Sequence, residues 1–233
     1  MNRFLLASVV SIFALASTLV ASAANRTDIN NELDHAAKII QEMTGPNASA
    51  GIPSSVLEGA KCIAVIPGLK QAGFIIGGRH GDGVATCKLS DNQWSPPAPF
   101  SLTGGSFGLQ AGAQSIDLVM MVMNDQGMQA LRSGHFKVGG EVSGAAGPVG
   151  RQASASAGWK AAILTYSRTK GVYAGVTLKG AELQQDDSAT KALYGSDVHF
   201  SQILEGNAPT THDAAVHQFL MTVHHAEQNA AAH

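Results

Sequence analysis

Residues 172–178 alternate strictly. Val172, Ala174, Val176 and Leu178 fall on one side, Tyr173, Gly175 and Thr177 on the other. A period of two marks a strand with one buried face. The preceding run, residues 161–167, joins it through Arg168-Thr169-Lys170-Gly171, so the pair predicts a β-hairpin. Similar short apolar runs recur upstream, at 62–66, 72–78, 84–89, 101–112, 115–123 and 136–142, separated by glycine and proline. Asp82-Gly83 reads as the turn of a hairpin between the second and third runs. Pro67-Gly68 reads as a stop to the first. The three prolines of residues 94–100 exclude a central strand there and predict an ordered crossover. Many short strands with regular glycines fold into a curved antiparallel sheet closing toward a barrel.

Helices flank this centre. Ile29, Leu33, Ala36, Ile40 and Met43 follow a 3–4 spacing that predicts a helix over residues 28–43. Its polar face holds Asp28, Glu32, Asp34 and Glu42 against Lys38 alone. A membrane-surface helix normally carries a basic polar face, so this one is expected to dock on the core. Residues 52–60 predict a short second helix with Pro53 in its first turn. Asn124 is placed to cap another that ends at Arg132. After Gly180 the chain turns helical and acidic. A final helix spans 211–229, with Val216, Phe219, Leu220 and Val223 on one face and an alanine-rich end expected to fray. The fold class expected is α+β: a β-rich, glycine-containing antiparallel sheet with N- and C-terminal helices.

The N-terminus bounds location. Arg3 precedes an apolar stretch from Phe4 to about Val20, followed by Ala21-Ser22-Ala23. That is the layout of a secretory signal peptide over residues 1–23; the alternative is an uncleaved anchor helix. The expectation is an exported chain, periplasmic or secreted, with a domain over 24–206 and a C-terminal helix and tail over 207–233. Cys62 and Cys87 would then meet an oxidising compartment. They lie on strand-like segments that could pair as a disulfide; two separate buried thiols are the other reading. No CxxC or histidine pair completes a zinc site around them.

Charge is segregated along the chain. Residues 24–60 hold 2 basic and 5 acidic side chains, residues 61–180 hold 11 and 5, and residues 181–233 hold 1 and 7. A basic centre thus lies between acidic ends. Lys70, Arg79, Lys88, Arg151, Arg168 and Lys170 fall at or near predicted turns. Converging at one end of a barrel, they would form a cationic rim able to hold phosphate headgroups of an anionic phospholipid or membrane surface. The competing arrangement has the acidic ends fold back onto the basic body. No GxGxxG or phosphate loop occurs, and no carboxylate pair has a spacing suited to acid–base work. No cofactor and no catalytic residue are expected. Aromatic residues are only 6% and do not interleave with basic ones, which argues against nucleic acid.

The motifs AKCIAVIP (60–67), GFIIGGRHGDGVATC (73–87), WSPPAPF (94–100), GGSFGLQAG (104–112), AAGPVGR (145–151) and YSRTKGVYAGVTLKG (166–180) come in that order. The series resembles the SYLF family over roughly residues 53–204. The resemblance implies a non-enzymatic module that binds phosphoinositides and other acidic lipids, with actin bundling in some eukaryotic members. For an exported chain it implies anionic phospholipid as the partner, a protein partner as the alternative, and actin as an unlikely one. The pair Cys62 and Cys87 fits an exported version of that fold.

Overall fold

The computed structural model describes residues 21–45, 51–148, 161–169, 172–175 and 178–232. The residues expected to form the signal peptide, Arg151 and Lys170 lie outside these, apart from 21–23. Among the described residues the order is α1 (Ala21–Thr44), α2 (Ser54–Glu58), β1 (Cys62–Cys87), β2 (Ala98–Val122), α3 (Asp125–Arg132), β3 (His135–Lys137), β4 (Gly144–Ala146), β5 (Ile163–Thr169), β6 (Val172–Gly175), β7 (Glu182–Gln185), α4 (Asp187–Tyr194), α5 (Phe200–Leu204) and α6 (Ala214–Ala231). The class is α+β, as the periodicity predicts. No described helix is long and apolar enough to cross a membrane.

Two long strands organise the sheet. β1 and β2 pair antiparallel from Cys62 opposite Val122 to Ala85 opposite Ala98. The outer edge of β2 takes β7 at residues 100–103 and β5 at residues 117–122. β3 extends β7, and β4 and β6 share the far edge of β5. The β5–β6 hairpin forms where the alternation places it, but Val172, on the side expected to be buried, is 69% exposed. The sheet is mixed, because β4 runs parallel to β5; the expectation of a purely antiparallel sheet is corrected there.

The upstream segmentation is also corrected. The runs 62–66, 72–78 and 84–89 belong to one continuous strand up to Cys87, and no turn forms at Asp82-Gly83. Asp82 pairs with Ser101 and Gly83 with Phe100. Pro67-Gly68 does not end the strand. The register slips by one residue between Ile66 and Leu69, so the two residues are taken up in a bulge. The runs 101–112 and 115–123 merge likewise into β2. A tetrapeptide after Gly180, read as the start of a helical region, is strand β7.

A strand of this length would extend about 80 Å if straight. The Cα atoms of its first and last residues, Cys62 and Cys87, are 4.0 Å apart and joined by a disulfide. The β1–β2 ribbon therefore doubles back, and the two halves of β1 lie against each other. At Gly83 the two halves also approach closely. A methyl group there would strike the Val65 carbonyl oxygen and come within 2.7 Å of Ile66 Cγ1. Gly83→Ala is expected to destabilise by about 2 kcal/mol, the scale of overpacking in a closed interior. Urea denaturation of the two proteins checks it.

The terminal helices close the core. Ile29, Leu33, Ala36, Ile40 and Met43 of α1 are all buried, as their spacing requires. Each larger side chain contributes about 1.5–3 kcal/mol on burial. Val216, Phe219 and Val223 of α6 are buried too. The alanine-rich end of α6 stays helical to Ala231, because Ala226 and Ala230 are buried rather than solvated. Arg26 of α1 donates to Asp213, the N-cap of α6, at 3.1 Å, and to the Ala192 carbonyl at 2.8 Å.

Candidate functional site

The disulfide places two lysines side by side. Lys61 precedes Cys62, Lys88 follows Cys87, and the Lys88 N–H donates to the Lys61 carbonyl at 2.8 Å. Both line a groove of about 420 Å³ between the end of β1, α2 and α3. Ala60, Leu89 and Met128 supply apolar wall, and Arg132 a third cation. Helix α3 starts where Asn124 predicts it: the Asn124 side-chain oxygen accepts from Gly127 N–H at 2.9 Å. Asp125 in its first turn and Arg132 in its last complement the helix dipole. Asp125 accepts from Lys61 Nζ at 2.6 Å. Arg132 approaches Glu205 only to 3.9 Å, and its Nε is buried with no acceptor among the described residues.

The cations expected to form a rim are placed differently from one another. Lys70 is exposed on β1 opposite Ser115. Arg79 is half-buried opposite Gly104, and burial lowers its pKa. Lys88 is ion-paired with Glu227 of α6, whose other carboxylate oxygen accepts from Trp94 Nε1 at 3.0 Å. Arg168 is held by Glu42 of α1 and by Asp117 of β2, the latter at 2.9 Å. Arg151 and Lys170 lie outside the described residues. Lys88 and Arg168 therefore bind acids of the two terminal helices, which is the fold-back of acidic ends onto a basic body. Arg168→Met is expected to cost about 1–2 kcal/mol, because it leaves two partly buried carboxylates facing each other. The loss is read as a lower urea midpoint, and it shrinks when Glu42→Gln is added.

The motifs pack onto one another. In WSPPAPF, the Ser95 hydroxyl accepts from Cys87 N–H at 3.0 Å, and the Thr86 hydroxyl donates to the Ser95 carbonyl at 2.7 Å. Tyr194 Oη donates to the Pro97 carbonyl at 2.6 Å. The Tyr166 ring of YSRTKGVYAG lies on the backbone of Gly147 from AAGPVGR. Burial raises the pKa of Tyr166 and of Tyr194, which keeps both as neutral phenols. These contacts fix the crossover and the sheet edge, so the motifs carry architecture. Among the described residues no three His, Cys, Asp or Glu side chains are grouped to hold a metal ion.

Lys61 and Arg132 were not singled out by the charge pattern. The signal for Lys61 is its symmetry with Lys88 about the two cysteines: Lys61-Cys62 and Cys87-Lys88. Arg132 carries no such mark, since a basic residue at a helix end is ordinary. Glu32, placed on a solvated face by helical spacing, is instead half-buried, with its Oε1 enclosed. Burial pushes its pKa up to about 8, with Asp82 and Asp186 adding repulsion.

Comparison with known proteins locates the chain. Residues 103–226 match the family model described as Ysc84, a Las17-binding protein and actin regulator. LAS seventeen-binding protein 3 of Saccharomyces cerevisiae is 36% identical over 187 residues, covering 76% of this chain and 40% of the relative. SH3 domain-containing YSC84-like protein 1 of Homo sapiens is 31% identical over 190 residues, covering 78% of this chain and 55% of the relative. The chain thus spans about half the length, or less, of these relatives. No solved structure matches it. The expectation that anionic lipid is the partner and actin an unlikely one is corrected by these names, which point to proteins of actin regulation. It rested on what the family resemblance implies, on residues 1–23, a statement about location, and on a cationic rim from which Lys88 and Arg168 are withdrawn by ion pairing. With its motifs, its mixed curled sheet and the match over residues 103–226 in agreement, the chain belongs to the Ysc84 (SYLF) family.

Proposed function

We propose that this chain is a non-catalytic protein-docking module whose partners belong to the class its relatives are named for, the proteins of actin assembly. The observation that carries the reading is the likeness over three quarters of the chain to LAS seventeen-binding protein 3. The geometry supports it. The Lys88 and Arg168 charges are spent within the fold, and Thr86, Ser95 and Tyr194 hold the crossover. Co-sedimentation of the purified chain with filamentous actin tests the reading, with anionic phosphatidylserine vesicles as the parallel arm. Pelleting with filaments supports it. Pelleting with vesicles alone, lost at high salt, overturns it in favour of a membrane surface.

A further inference from the structure

The groove beside the disulfide has a chemistry of its own. Its lining includes three cations, Lys61, Lys88 and Arg132, and one acid, Glu58. Their present partners differ in hold. The Lys88–Glu227 pair is largely buried and is supported by Trp94. Lys61 pairs with Asp125, whose side chain is 70% exposed, and such surface pairs contribute about 0–1 kcal/mol. Arg132 stands 3.9 Å from Glu205, beyond hydrogen-bond distance, and its buried Nε has no acceptor among the described residues, while 26% of its side chain remains exposed. A guanidinium offers five donors in a planar fork that matches a carboxylate in two bonds. Two cations of the groove are thus underused, and they stand beside Met128 and Leu89.

We propose that this groove docks an acidic segment of a protein partner, with a carboxylate on Arg132, a second reaching Lys61, and an apolar side chain on Met128. The inference rests on the protein-docking reading above and names its contact surface. Lys88 acts differently. Tied to α6 by Glu227, it positions the groove wall and donates nothing to the ligand. The disulfide holds Lys61 and Lys88 in register, so the groove's shape depends on the oxidised pair. An acidic segment fits better than an isolated phosphate, because apolar Ala60, Leu89 and Met128 line the groove together with its cations.

The test is fluorescence anisotropy of the full chain with a labelled decapeptide of alternating glutamate and leucine, against a lysine–leucine control. The expected result is binding of the acidic peptide alone, weakening as salt rises, and at least tenfold weaker in Arg132→Glu. Lys61→Glu is exposed enough to leave the fold intact, and is expected to weaken binding several-fold. Equal acidic-peptide binding by wild type and both variants, with unchanged thermal melting, overturns the groove assignment. So does binding of inorganic phosphate or phosphatidylserine vesicles in place of the peptide. If actin filaments pellet with the wild type and with both variants alike, the groove assignment falls while the docking reading stands. If filaments fail to pellet but the peptide binds, the reverse holds.

Discussion

Replacing both cysteines, Cys62→Ser with Cys87→Ser, is expected to lower stability by about 3.5 kcal/mol. The bond closes a loop of 25 residues, and the chain-entropy model assigns that figure to a loop of such length. For a domain of this size the thermal midpoint falls by about 10 °C. The effect is larger than at most exposed disulfides, because the bond pins the ends of one doubled-back strand, with Cys62 and Cys87 both fully buried. Differential scanning calorimetry with and without reductant checks it. Wild type in reductant should match the double variant. A midpoint unchanged by either treatment would show that packing at Gly83 and the ladder to β2 suffice to keep the strand folded back.

Glu32→Gln is expected to stabilise the protein at neutral pH by on the order of 2–3 kcal/mol, and to leave it unchanged at pH 4. Glu32 on α1 faces Asp82 of β1 and Asp186 at the start of α4, and its Oε1 has no hydrogen-bond partner among the described residues. Burial raises its pKa from 4.5 to about 8. The folded state therefore holds this proton more tightly than the unfolded chain. Below pH 4.5 both states are protonated and the glutamate costs nothing in charge. Stability falls as pH rises from 4.5 toward 8, and above 8 the loss is complete. The variant removes that slope. Chemical denaturation at pH 4, 6 and 8 reads the difference between the two proteins, which should widen with pH. Parallel curves would place the Glu32 carboxyl in water.

The helices and the β5–β6 hairpin are legible in the residues because their periodicities are local. Ile29 through Met43 and Val172 through Gly175 need no knowledge of a partner to be read. The long strands are not, because glycine and proline inside β1 imitate punctuation. Asp82-Gly83 carries the composition of a turn, yet Gly83 is there to let Val65 approach. Pro67-Gly68 carries that of a stop, yet the partner strand simply slips past it. Charges were misread for a related reason. Glu32 and Glu42 occupy the polar face of an isolated helix, and only the packing of α1 shows that one meets two acids and the other meets Arg168. The family motifs were legible as a series, but their role as contacts, Tyr166 over Gly147 and Tyr194 on Pro97, required the fold.

The meeting of α1 with α6 has a consequence for synthesis. Helix α1 leaves the ribosome well before α6, yet part of its covering surface lies in residues 214–231, and Arg26 finds Asp213 only then. Until that point Ile29, Leu33 and Ile40 form an apolar stripe without its full cover, while the β1–β2 ribbon is already available to pair. Such delayed closure, with contacts linking distant parts of the sequence, slows folding and leaves the nascent chain open to association with itself. A chain stopped before residue 214 would be expected to accumulate as aggregate, and a factor that shields the first helix during translation would raise the yield of the full-length fold.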